Sequence, residues 1–170
     1  MTIERMFLSV TPPAEVIDLI SDLPTRALRG VKFTKRAQWH VTLRFLGDCP
    51  RHEALNALSE LQAPAAQVTL GPEVGLLGSR IVMLPAAGLD PVAAAVDATF
   101  DGIGEHTSRE FHGHLTLARL RGRPLRNPSL VSILGAPLSA TFAVDTIDLW
   151  KSEVTQDGAT HTLVASQDLV

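Results

Sequence analysis

The pattern His-x-Thr-Leu occurs twice in this chain, as His40, Val41, Thr42, Leu43 and again as His114, Leu115, Thr116, Leu117. Two of the six histidines carry it. In a β-strand, residues i and i+2 project from the same face, so each copy sets an imidazole beside a hydroxyl. If the two strands face each other across a pseudo-two-fold groove, two imidazoles and two hydroxyls converge on a space about the size of a phosphate. An internal echo of this kind asks for a duplicated fold with strands at its centre.

Histidine titrates near neutrality. One ring can therefore take a proton from water while the other, already protonated, gives one to a departing oxygen. Such chemistry requires neither a metal nor an organic cofactor. The threonine hydroxyls, with Arg119 as the nearest fixed cation, would hold the non-bridging oxygens and stabilise charge developing on phosphorus. Other readings compete with this one. A lone strand histidine is most often structural, and His112-Gly113-His114 has the spacing of a metal-binding pair, with Glu105, His106 and Glu110 as the nearby groups to complete a ligand set. His112 is read as supporting or structural. Arg119 poses a geometric problem, because strict alternation from His114 puts it on the opposite face from Thr116. A bulge or a strong twist is needed to bring it round; otherwise it is a surface arginine near a strand end.

Length and charge bound the rest. A chain of 170 residues that is 45% hydrophobic can bury a substantial core, and residues 1–170 are expected to form one domain. With 15 Lys and Arg against 18 Asp and Glu, the net charge of -3 offers no global field for long duplex nucleic acid, so any such contact must be local. The single cysteine, Cys49, excludes an internal disulfide and a multi-cysteine metal site, and is read as a small residue after a strand. No apolar run reaches the roughly 18 residues of a membrane span, and the first ten residues lack a signal-peptide pattern. The expectation is a cytoplasmic monomer with no membrane partner.

Periodicity places a strand at Met6 to Val10, then a helix to about Leu23 with Thr11 as its N-cap. A strand from Trp39 to Leu46 alternates His40, Thr42 and Arg44 on one face with Val41, Leu43 and Phe45 on the other, and Gly47 to Pro50 should end it. Helices are expected over Arg51 to Leu61 and from Leu89 to about Phe100, with short strands at Val68 to Leu70, Val74 to Leu77 and Ile81 to Leu84 between them. The second motif strand follows. A short helix over Asn127 to Leu134 and strands at Leu138 to Val144, Thr146 to Lys151 and Thr160 to Ala165 close the chain. The run from Arg121 to Pro128 reads as a solvated loop or a phosphate-facing rim. His52 is assigned to an exposed helix start and His161 to an edge strand, neither with a role.

At Trp39 to Asp48 and Phe111 to Arg119 the sequence resembles the two-histidine (2H) phosphoesterase superfamily, most closely its RNA 2′,3′-cyclic phosphodiesterase branch, also called the 2′-5′ RNA ligase family. Weaker agreement at Arg5 to Pro13, Gly78 to Leu84 and Ile147 to Glu153 extends the resemblance over nearly the whole chain. It implies an α+β fold, bilobal and pseudo-two-fold, with two antiparallel sheets backed by helices and flanking a central cleft. It also implies hydrolysis of RNA 2′,3′-cyclic phosphate ends, or of cyclic nucleotides, to 2′-phosphomonoesters. By motif, His40 would be the proton donor and His114 the acceptor, with Thr42, Thr116 and Arg119 binding phosphate; no metal or cofactor takes part. Alternatives that keep the site are 2′-5′ RNA ligation and cleavage of small cyclic nucleotides; a non-catalytic RNA-end binding module is the alternative of another class. The sequence departs from the family at Met83, where a bulky aromatic is common, at Trp150, where tyrosine is common, and at Gly113, where proline is common. Phe7 and Phe45 are then the remaining candidates for base stacking.

Overall fold

A computed structural model describes residues 1–106, 109–122 and 130–170. Among the described residues, ten strands and three α-helices follow in the order β1 (Ile3–Val10), α1 (Ala14–Ser21), β2 (Val31–Phe33), β3 (Val41–Pro50), α2 (Arg51–Glu60), β4 (Ala66–Leu70), β5 (Gly75–Leu77), β6 (Ile81–Ala87), α3 (Asp90–Thr99), β7 (His114–Leu120), β8 (Ala140–Val144), β9 (Thr146–Thr155) and β10 (Gly158–Asp168). The fold is α+β, and every strand pairing is antiparallel. Strands run β10-β9-β1-β3-β7-β6-β4-β8, with β2 added to β7 and β5 to β6.

That order is a palindrome of roles. Four strands end at the first motif strand, β3, and four more begin at the second, β7. Among the described residues the halves join through one register pair, Val41 with Leu115. These are the residues immediately after the two motif histidines. Antiparallel counting from that rung sets His40 against Thr116 and Thr42 against His114, so the pseudo-two-fold axis passes between the two motifs. The expected pair of sheets is therefore one strand path hinged at a narrow seam, and the cleft lies over the seam.

Alternation buries Val41 and Leu43 beneath β3 and Leu115 and Leu117 beneath β7, in a core shared with Met6, Leu8, Val82, Leu84 and Phe100. Helices α2 and α3 pack against β3. Their buried residues Ala54, Ala57, Leu58, Val92, Ala93 and Val96 fall at helical spacing, which is why these segments form helices with one apolar face.

Several sequence expectations need correction. Helix α1 starts after Pro13 and has no side-chain cap; the Thr11 hydroxyl instead donates to Asp148 Oδ2 at 3.4 Å. Strand β3 does not stop at Gly47 but continues to Pro50, because the pairing shifts there: Met6 opposes Gly47 and Phe7 opposes Phe45. Leu46 is the extra residue, and Gly47, at φ 65°, supplies the left-handed backbone such a bulge uses. Cys49 is thus buried inside the strand rather than following it, and burial pushes its thiol pKa up. Residues 127–129 of the expected short helix lie outside the described residues, and 131–135 form turns and a bend. Strand β2 has no counterpart in the sequence reading; at three residues it is too short to show a period.

Gly113 illustrates how closely the approach to β7 is packed. Its carbonyl accepts from Ala86 N at 2.9 Å, and a Cβ at this position would fall well inside van der Waals contact with Ala86 O. The Gly113→Ala variant is expected to lose about 1–3 kcal/mol of stability through this overpacking, measured by urea unfolding. Unchanged stability would show that β6 can yield here.

Candidate active site

Strand β3 carries a second bulge and β7 carries one, and both fall on the motif leucine. In β3, Leu8 opposes Arg44 while Ser9 opposes Thr42, leaving Leu43 without a partner. In β7, Val82 of β6 opposes Ala118 while Met83 opposes Thr116, leaving Leu117 as the extra residue. The carbonyl of Leu117 is not orphaned, since Thr34 N donates to it at 2.8 Å. An extra residue inverts the alternation beyond it. Arg119 therefore reaches the same side as Thr116, which simple alternation had denied it. In β3 the inversion overturns the assigned faces. Arg44 turns inward, 6% exposed, and donates to Asp97 O and Oδ1, Ile103 O and Glu105 O over 3.3–3.5 Å. Phe45 turns outward, 37% exposed, with the Arg5 guanidinium 4.6 Å from its ring centroid. The two copies thus present different side chains five residues after the histidine, a cation in one and an aromatic ring in the other.

His40, Thr42, His114, Thr116 and Arg119 all line one cleft. Each motif imidazole is anchored in the same way. His40 Nδ1 lies 2.6 Å from Gln38 O, and His114 Nδ1 lies 2.7 Å from His112 O. A carbonyl can only accept, so Nδ1 carries the proton in both rings. Nε2 is left as the working nitrogen on each side. His40 Nε2 is 3.0 Å from Thr42 Oγ1, whose hydroxyl donates to it when the ring is neutral. Burial is the main cause that lowers the His40 pKa to about 4; the bond to Gln38 opposes this, and the charges of His161, Arg119 and His114 add to the lowering.

Phe7 stacks on His40 with ring centroids 5.0 Å apart and planes 29° apart, and contacts Trp150 at 6.5 Å. At 5% exposure it backs the imidazole instead of offering a free face to a base. His161, given no role from sequence, lines the cleft, lies 5.7 Å from the His40 ring and meets Phe7 edge-on at 4.8 Å. Only the pairing of β10 with β9, which sets His161 opposite Ser152, brings it there. The one signal for it in the sequence is its closeness to the segment Ile147 to Glu153. His52 is exposed at the start of α2, in agreement with its reading.

His112 and His114 do not act as a chelating pair in this arrangement. His112 lines a neighbouring cavity with Phe45, Arg109 and Phe111, whereas His114 lines the cleft that holds His40. Among the described residues, no three His, Cys, Asp or Glu side chains gather as a metal site. No helix among them is long and apolar enough to cross a membrane.

A family model described as the 2′-5′ RNA ligase superfamily matches residues 12–156. The chain belongs to this superfamily. It is a two-histidine phosphoesterase, with the fold those enzymes share. Escherichia coli LigT, solved in complex with 3′-AMP, is 25% identical over 99% of both chains, with a TM-score of 0.78. A protein described as a phosphoesterase is 25% identical over 98% of both chains, with a TM-score of 0.76. A Thermus thermophilus protein, 23% identical over 96% of this chain and 97% of its own, has the same fold at a TM-score of 0.80. Comparison with curated protein sequences gives no match.

Proposed function

We propose that this two-histidine phosphoesterase hydrolyses RNA 2′,3′-cyclic phosphate ends to 2′-phosphomonoesters, with no metal ion in the step. The observation that carries the reading is the matched anchoring of His40 and His114, each with Nδ1 on a carbonyl two residues back and Nε2 left to work. Water attacks phosphorus and the bond from phosphorus to O3′ breaks. His114 Nε2 takes the proton from water, and His40 Nε2 delivers one to O3′. Thr42, Thr116 and Arg119 hold the non-bridging oxygens. The products are a 2′-phosphate and a free 3′-hydroxyl, and the pair exchanges one proton with solvent to reset. Burial keeps His40 neutral in the empty cleft, and the entering phosphodiester anion favours its protonated form. RNA ends are the proposed partner, with binding confined to the cleft. The complex of LigT with 3′-AMP favours a ribonucleotide phosphate as ligand.

The test is incubation of an oligoribonucleotide bearing a 3′-end cyclic phosphate with the protein in EDTA. A 2′-phosphate product is expected; a 3′-phosphate product, or no turnover until a metal is supplied, would overturn the reading. Running the same site in reverse with a 5′-hydroxyl end in place of water would give a 2′-5′ linkage, so ligation is measured alongside.

The pH profile follows from the shared proton. The active state carries one proton on the pair, whichever ring holds it. kcat/KM is therefore expected to fall as pH drops through about 4, where His40 also becomes protonated in the free enzyme. A flat profile from pH 6 down to 3 in a protein that stays folded would contradict this.

A further inference from the structure

We infer that Lys32 and Arg121, beside Arg119, form a second anion subsite that takes the phosphodiester adjoining the reacting phosphate of an oligoribonucleotide. The inference extends the function proposed above. Strand β2 pairs with β7 so that Lys32 stands directly opposite Arg119. Residues opposite each other on antiparallel strands share a face with Cβ atoms about 5 Å apart, and like charges placed so destabilise the sheet. Arg121 follows two residues after Arg119, just past the end of β7. Lys32, Lys35, Arg119 and Arg121 all line the cleft.

Among the described residues, no carboxylate forms an ion pair with these cations. The ion pairs among the described residues join Arg36 to Asp18, Arg44 to Asp97, Arg51 and Lys151 to Glu4, and Lys151 to Glu153, and none uses the four cleft cations. Asp157 is the one acidic residue among the described ones that line the cleft. The chain as a whole is acidic, at -3, so this concentration of positive charge is a local feature. A phosphodiester carries a single negative charge, which the threonines and Arg119 already receive. The remaining cations face a second anion, and in a nucleotide chain that is the next phosphate.

Lys32 also lies against the start of β10. Its Nζ occupies the space that a side chain at Gly158 would need. Gln38 Nε2 donates to Ala159 O at 2.6 Å and ties the same β9–β10 turn to the segment after β2. The ammonium thus lies at the rim of the cleft, beside the start of β10.

Equilibrium binding of a nucleoside 3′-monophosphate and of the corresponding 3′,5′-bisphosphate to the whole protein tests this without turnover. The wild type is expected to bind the bisphosphate about tenfold more tightly, as one added charge-assisted contact would give. Lys32→Ala should lose that advantage and Lys32→Arg should keep it. Lys32→Ala should also lower the salt dependence of bisphosphate binding by about one unit of log–log slope. Equal wild-type affinity for the two ligands, or an advantage that survives Lys32→Ala, would overturn the subsite. Because no bond is cleaved, a protein that prefers the bisphosphate yet fails to hydrolyse cyclic phosphates would sink the proposed reaction and leave the subsite standing.

Discussion

Replacing either motif histidine with alanine is expected to reduce hydrolysis of a 2′,3′-cyclic phosphate by about 10²–10⁴-fold, the contribution of a positioned general acid or base. Both rings are only partly buried, and neither supports the core, so both variants should remain folded. The double variant should be little worse than either single one, because the two rings act as a unit on one proton inventory. The labels are separated by changing the leaving atom. A cyclic substrate with sulfur at the 3′ bridging position releases a thiolate that needs no proton, so it should restore much of the rate to the variant lacking the donor. If His40 is the donor, His40→Ala is rescued and His114→Ala is not. Wild-type turnover in either alanine variant would remove the acid–base reading altogether.

Arg119→Ala should have the next largest effect, lowering kcat by about 10²–10³-fold, as removal of a charge-stabilising donor does. The side chain is exposed and takes part in no ion pair among the described residues, so the loss should come without a fall in melting temperature. Arg119→Lys should recover part of it, since an ammonium keeps the charge and loses the planar fork that grips two phosphate oxygens. Relieving the like-charge pair with Lys32 should, if anything, favour the folded state. Activity of Arg119→Ala within about twofold of wild type would assign the arginine to the surface after all.

The site was legible in the sequence because its chemistry is local: His and Thr two apart on a strand share a face whatever surrounds them. The duplication, the two motif strands and the apolar faces of α2 and α3 are equally local patterns. What escaped depends on partners distant in sequence. The bulges at Leu43 and Leu117 exist only where β1 and β6 pair against the motif strands, so alternation misassigned Arg44 and Phe45 and left Arg119 ambiguous. Strand β2 is visible only as an addition to β7, and His161 reaches the cleft only through the pairing of β10 with β9. Gly47 and Pro50 read as breakers because the sequence does not display the pairing with β1 that accommodates them.

The rung between Val41 and Leu115 has a further consequence. Because each histidine sits one residue from it, on opposite sides along the strands, the gap between the two imidazoles is measured out by backbone spacing, about 4.8 Å between the strands and two residues along them, and not by how side chains fill the core. The rung works as a ruler. Core substitutions behind the sheet can change how firmly the lobes hold together while the calibration of the reacting gap stays the same, whereas any change that slides β3 against β7 alters both half-sites at one stroke.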